Sequence, residues 1–229
     1  LLGDERVEPG LPFAALDPED YYDYQVNRPT ISIAEDGSRL ISWPTTRLSY
    51  ARLPTLGRDV VLVRGIEPNM RWQGFASEIL GFCHELGVEM VVTFGALLAD
   101  SPHTRPVPVT STSSDDTLLR TLALEQSTYE GPTGIVGVVQ DACTRAGIPA
   151  LSIWAAVPHY VAQPPCPKAT LALLRRLEDL FDVPIPLGEL PDDARAWERG
   201  VDELAEEDAE VAEYVRALEE AKDLSDAPE

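Results

Sequence analysis

The chain of 229 residues is 44% hydrophobic and 25% charged, ordinary proportions for a globular protein long enough to bury a substantial core. Its formal net charge of −21 argues against a general nucleic-acid or anionic-membrane surface, both of which gather Lys and Arg. No stretch nears the roughly 20 apolar residues that span a bilayer, and the opening LLGDERVEPG lacks the basic and apolar regions of a secretory signal, so a cytoplasmic protein is expected.

Residues 16–24 (LDPEDYYDY) predict a short helical turn with Asp17 as cap and Pro18 at its first position. Residues 29–34, 39–44 and 46–53 read as short strands, and the EDGS link between the first two is a hairpin signal. DVVLVRG (59–65) is a continuous apolar run ended by glycine, expected as a buried parallel strand. Trp72, Phe75, Ala76, Ile79, Leu80, Cys83 and Leu86 then recur at helical spacing, and Gly87 closes that helix. Residues 88–94 are the next expected strand, making a strand–helix–strand unit of a helix-covered parallel sheet. Further expected elements are a strand over 106–113, a helix over 115–127, a strand over 133–139, a short helix over 140–147 and a strand over 149–158. A helix over 167–181 presents Leu173, Leu174, Leu177, Leu180 and Phe181 on one face.

Residues 189–229 hold 16 acidic and 4 basic side chains, so they carry −12 of the net charge. Within them Trp197, Val201, Leu204, Asp208, Val211, Val215 and Leu218 alternate steps of four and three, a heptad seam with one acidic interruption. That seam packs either on its own domain or on a neighbouring subunit. The sequence therefore divides into an α/β domain, 1–188, and an acidic helical extension, 189–229. Cys83, Cys143 and Cys166 are odd in number and widely spaced, and read as reduced thiols.

Phosphate-binding loops, a dinucleotide fingerprint, the H-E-x-x-H motif and the G-x-S-x-G elbow are all missing from the sequence. The glycines at 131, 134 and 137 recur every third position, but the last two fall in a strand-like run and suit close packing. Polar groups instead collect where parallel strands would end, the usual ligand rim of an open α/β sheet. The candidate cleft residues are Trp72, Asp100, His103, Arg105, Gln140, Asp141, His159 and Tyr160. His103 would act as an acid or base, or as a hydrogen-bonded plug in a proline-flanked bend. Arg105 would bind an anion or pair with Asp100 or a carboxylate of the acidic extension. Trp72 heads an apolar helix face and suits a core, His159 and Tyr160 suit a strand terminus, and His84 lies off its helix's apolar stripe. Ser111, Thr112, Ser113 and Ser114 read as an exposed strand end and helix cap. Two histidines with Asp100 or Asp141 would suffice for a metal, yet nothing in the spacing demands one, and no metal or cofactor is assigned.

The segments GIEPNMRW, SPHTRPVPVTSTS and EGPTGIVGVVQDACTRAGIPALSIWAAVPHYVAQPPCPKATLALL, followed by the acidic helix, resemble the proteasome assembly chaperone 2 family in its prokaryotic, actinobacterial-type branch. The resemblance runs from about Asp17 to Leu218, and the H-T-R-P-V step and the G-I-P-A-x-S-x-W-A-x-V-P-H-Y run are its most specific parts. It implies a three-layer α/β/α sandwich similar to the purine nucleoside phosphorylase fold, and self-association with a trimer as the expected order. It also implies a protein partner such as proteasome components. Family members open with a strand, a small-residue loop and a helix. LLGDERVEPG resembles the end of that helix, so the first strand–helix unit is expected to be absent here. The leading expectation is a non-enzymatic, oligomeric assembly or interaction module. Its rival is a small-molecule-binding protein, or a phosphorylase- or hydrolase-like enzyme, using His103, Arg105 and His159.

Overall fold

The computed structural model describes residues 10–53 and 57–225. In chain order its elements are β1 (Pro12–Ala15), α1 (Pro18–Tyr21), β2 (Thr30–Ile33), β3 (Arg39–Ser42), β4 (Arg47–Leu53), β5 (Arg58–Arg64), α2 (Trp72–Glu85) and β6 (Val91–Ala99). They continue with β7 (Val109–Ser113), α3 (Asp116–Thr121), α4 (Ile135–Arg145), β8 (Ala150–Pro158), a 3-10 turn (His159–Val161), α5 (Pro167–Phe181), α6 (Leu190–Glu207) and α7 (Ala209–Ser225). The chain is thus a mixed α/β protein, and the expectation placed on residues 1–9 lies outside the described residues. No helix among the described residues is long and apolar enough to cross a membrane. The elements fall into two units: residues up to Val91 with Tyr129–Ala150, and Val92–Thr128 with Leu151 onward. α6 and α7 belong to this second unit.

In the first unit, α1 starts as its sequence dictates. The Asp17 carboxylate accepts the Glu19 N–H at 3.0 Å, and Pro18 occupies a position whose N–H has no helical partner. The apolar stripe of α2 buries Phe75, Ala76, Ile79 and Cys83. Phe75, Ile79 and Cys83 pack with Leu16, Tyr21, Tyr22, Cys143, Ile148 and Ala150 into one core. Burial raises the Cys83 and Cys143 thiols, the latter to about 11, so both stay protonated at neutral pH. EDGS turns β2 into β3 with Ile31 opposite Ile41 and Ile33 opposite Arg39.

Two expectations are corrected in this unit. The run 59–65 is not a buried parallel strand: β5 lies at the edge of the sheet β1–β4–β5, antiparallel to β4, with Leu62 and Val63 half-exposed. A short link between β4 and β5 permits only a hairpin, since parallel neighbours need a long crossover. The run 133–139 is helix rather than strand. Gly134, in extended conformation, caps α4, and the Glu67 carboxylate accepts the Ile135 N–H at 2.8 Å, so a distant acid starts the helix. Gly134 and Gly137 therefore sit at a helix start, outside any strand.

In the second unit, β8 is the central strand of the sheet β6–β8–β7 and is buried along almost its whole length, which explains its continuous apolar sequence. β7 runs antiparallel to it, and buried Thr93 and Ser152 hydroxyls join β6 to β8 at 2.5 Å. β6 begins three residues later than expected and runs on to Ala99. The helix expected over 115–127 is short: Asp115 caps α3, which ends at Thr121. Ser111 and Ser113, expected exposed, are buried. Ser111 accepts from Arg176 Nε at 2.9 Å, and Ser113 accepts the Asp115 N–H at 3.0 Å. α5 occupies 167–181 as its period predicts.

The seam of the acidic segment does not run through one helix. Asp208 breaks it, ending α6 and then accepting the Glu210 N–H at 2.9 Å as α7 begins. The buried positions of α6 are Ala194, Val201 and Ala205, a period near 3.6, while Leu204 of the heptad series is exposed.

Gly95 of β6 lies beneath the indole of Trp154 on β8, where any Cβ would collide with the ring. Gly95→Ala should therefore destabilise the protein by about 1–3 kcal/mol. Urea unfolding will show this as a lower midpoint at unchanged slope.

Candidate functional site

β6 ends at Ala99, and the chain turns through SPHTRP before β7. The Arg105 N–H donates to the Pro102 carbonyl at 3.3 Å, closing a tight turn stiffened by Pro102 and Pro106. His103 at its centre is only 2% exposed. Its Nε2 lies 2.9 Å from Asp202 Oδ1 on α6, and its Nδ1 lies 2.8 Å from the Tyr160 hydroxyl. A carboxylate only accepts, so Nε2 carries the proton; in the neutral ring Nδ1 then accepts the Tyr160 hydroxyl hydrogen. The same hydroxyl oxygen accepts the His103 backbone N–H at 2.8 Å. Burial raises the Tyr160 phenol, so it remains protonated for this role.

The rest of the turn holds the acidic helices as well. Arg105 grips α7, with Nε and Nη2 donating to Asp223 at 2.8 and 2.7 Å and Nη1 donating to Glu219 at 3.1 Å. Hydrogen bonding to Arg105 holds the Asp223 carboxyl below its usual range, and the same bond stabilises the charged guanidinium. Thr104 donates to Glu219, and Lys168 on α5 bridges the His103 carbonyl and Glu198 of α6. On the other side Tyr214 of α7 donates to Asp100 at 2.9 Å, and His159 Nδ1 lies 3.2 Å from the same carboxylate oxygen. His103, Tyr160, His159 and Tyr214 stack edge to face around it, with centroids 5.3–6.0 Å apart.

Five of the eight expected cleft residues, Asp100, His103, Arg105, His159 and Tyr160, thus gather in the second unit. The partners that complete the cluster are Lys168, Glu198, Asp202, Tyr214, Glu219 and Asp223, none of which had been singled out. Only the pairing of Arg105 with a carboxylate of the acidic segment had a signal, the charge imbalance of that segment. Trp72, Gln140 and Asp141 belong to the first unit. Trp72 opens α2 with its indole N–H on the Pro68 carbonyl at 2.6 Å, Asp141 pairs with Arg145, and the Gln140 carbonyl accepts the Thr144 hydroxyl at 3.1 Å. Of the seam residues, Val201 and Val215 are buried, Trp197, Val211 and Leu218 are half-buried, and Leu204 is exposed. Among the described residues no group of three His, Cys, Asp or Glu is placed to hold a metal ion.

Chemically the cluster is a latch. A buried imidazole is tied to α6 and a guanidinium to α7, so its basic groups are spent on carboxylates of the same chain. His103→Ala leaves Tyr160 and Asp202 without the imidazole they share and should cost about 1–3 kcal/mol in denaturant midpoint. Arg105→Gln should release α7 alone, read as loss of amide-exchange protection over 209–225 with β8 unchanged. Because Asp223 titrates below its unfolded value, its pairing stabilises α7 above about pH 4 and is lost as pH falls through the lowered value. Amide NMR during an acid titration should show α7 signals shifting before those of the sheet.

The sequence matches the PAC2 family model over residues 10–205. No curated protein gives a match. Among solved structures, a PAC2 family protein from Streptomyces avermitilis is 68% identical with a TM-score of 0.83, over 89% of this chain and 86% of that one. A proteasome-assembly chaperone homologue from Mycobacterium tuberculosis is 55% identical with a TM-score of 0.79, over 90% and 87%. An archaeal homologue of proteasome-assembly chaperone from Pyrococcus furiosus, at 16% identity, shares the fold with a TM-score of 0.54 over 80% and 77%. With a family model spanning most of its length and a structural relative at 68% identity, the chain belongs to the PAC2 family.

Proposed function

We propose that this chain is a non-enzymatic, oligomeric protein-interaction module of the proteasome-assembly type. The observation that carries the reading is the occupied state of the rim. An acid–base group must reach its substrate, and His103 is buried with both ring nitrogens engaged by Tyr160 and Asp202. Arg105, the one anion-binding group of the turn, is saturated by Asp223 and Glu219. Family membership and the 55% identity to a proteasome-assembly chaperone homologue support the same reading. The reading includes self-association, with a trimer as the expected order, a cytoplasmic setting, and the α/β/α sandwich similar to nucleoside phosphorylases that the family resemblance implies.

A second reading, a small-molecule or hydrolytic site on the same rim, draws on one observation: His159 stays half-exposed beside Asp100. The two readings separate in a mixing experiment with purified proteasome α- and β-subunits of the source organism. The chaperone reading expects a complex with unassembled subunits and a faster or fuller yield of assembled particle, unchanged by His159→Gln. Absence of a complex at low and high salt, with assembly unaltered, would overturn it.

A further inference from the structure

The β2–β3 hairpin is an apolar ribbon left open to solvent. Strand alternation puts Ile31, Ile33, Arg39, Ile41 and Trp43 on one face. The three isoleucines are 55–66% exposed, and no other element among the described residues packs broadly on the hairpin. A two-stranded ribbon with a bare apolar face is marginal in water, and a contiguous exposed patch of this kind marks an interaction site. At its base a groove of about 600 Å³ is lined by Val26, Arg28, Trp43, Arg47, Arg64 and Ile66. Arg47 and Arg64 stand directly opposite in the β4–β5 register, a like-charge pairing that is unfavourable without a counter-ion. Neither they nor Arg28 and Arg39 form an ion pair with a described residue. Residues 26–66 hold six arginines and three acids, a net +3 within a chain of −21.

The complement lies on the same molecule's sequence. At the α6–α7 elbow Leu204 is 59% exposed, surrounded by exposed Glu203, Glu206, Glu207 and Glu210. One surface is apolar ringed by arginine, and the other is apolar ringed by glutamate. We propose that the β2–β3 ribbon and its arginine groove dock the α6–α7 elbow of a second copy of this chain. Leu204 seats among the ribbon isoleucines, while the elbow glutamates neutralise Arg47 and Arg64. The inference rests on the reading that the chain self-associates and names the surfaces that do it. Two copies of charge −21 repel at long range, so only such a local meeting of opposite charge steers them together. The two patches differ, so the contact is either reciprocal in a two-fold pair or closes into a ring.

Sedimentation equilibrium of the full chain over a wide concentration range tests this, with circular dichroism to show that each variant is folded. Ile31→Ser with Ile41→Ser, Arg47→Glu with Arg64→Glu, and Glu206→Arg with Glu207→Arg should each raise the dissociation constant about tenfold or more. A chain carrying both charge reversals should recover most of the loss. A monomeric wild type overturns both this inference and the self-association reading. A wild-type oligomer that all three variants leave intact overturns the inference alone. Loss in the single reversals without recovery in the combined chain overturns the elbow as the occupant.

Discussion

The second unit of this protein is organised around a single buried imidazole. An imidazole taken out of water needs partners at both nitrogens, and His103 finds one on the turn after β8 and the other on α6. Satisfying that ring fixes where Tyr160 and Asp202 must lie. Asp202 in turn sets the position of α6, and the flanking Thr104 and Arg105 set that of α7. The strongly acidic helices, which as an isolated segment would repel themselves, are drawn to one of the few cationic corners of the unit. Apolar contact then completes the docking through Ala194, Val201, Ala205 and Val215.

The division of labour between charge and burial follows from exposure. Arg105, Glu219 and Asp223 lie in partial contact with solvent, where each pair contributes modestly and salt screens it. They give direction and register rather than bulk stability. His103, by contrast, is dry, and an unmet donor or acceptor there carries the full desolvation cost. The turn thus mixes a strong, specific anchor with weak, adjustable ones. The H-T-R-P step that closes the turn is explained by this anchoring.

What the sequence disclosed depended on whether a local feature decided the outcome. The bounds of α5 were legible because an amphipathic period coincides with Pro167 at the start, and α1 because Asp17 and Pro18 form a self-sufficient cap. The hairpin of β2 and β3 was legible from EDGS. α4 was misread because its start depends on Glu67, far away in sequence, while a short run of β-branched residues fits strand and helix equally. The direction of β5 was misread because apolarity reports burial tendency and not strand polarity. In the cluster, His103 and Arg105 stood out by type and setting. Asp202, Glu219 and Asp223 did not, since one carboxylate among 16 in the acidic segment has no individual mark.

The latch also joins residues that are far apart along the chain. His103 meets Asp202 across 99 positions, and Arg105 meets Asp223 across 118. Contacts of such separation form late, after the cost of closing a long loop has been met. During synthesis the turn at 101–106 leaves the ribosome well before its acidic helices exist, so for that interval the imidazole and guanidinium face water or whatever else is near. The finished protein occupies this basic corner, whereas the nascent one displays it. The appearance of α6 and α7 is therefore itself the event that switches this corner from available to occupied.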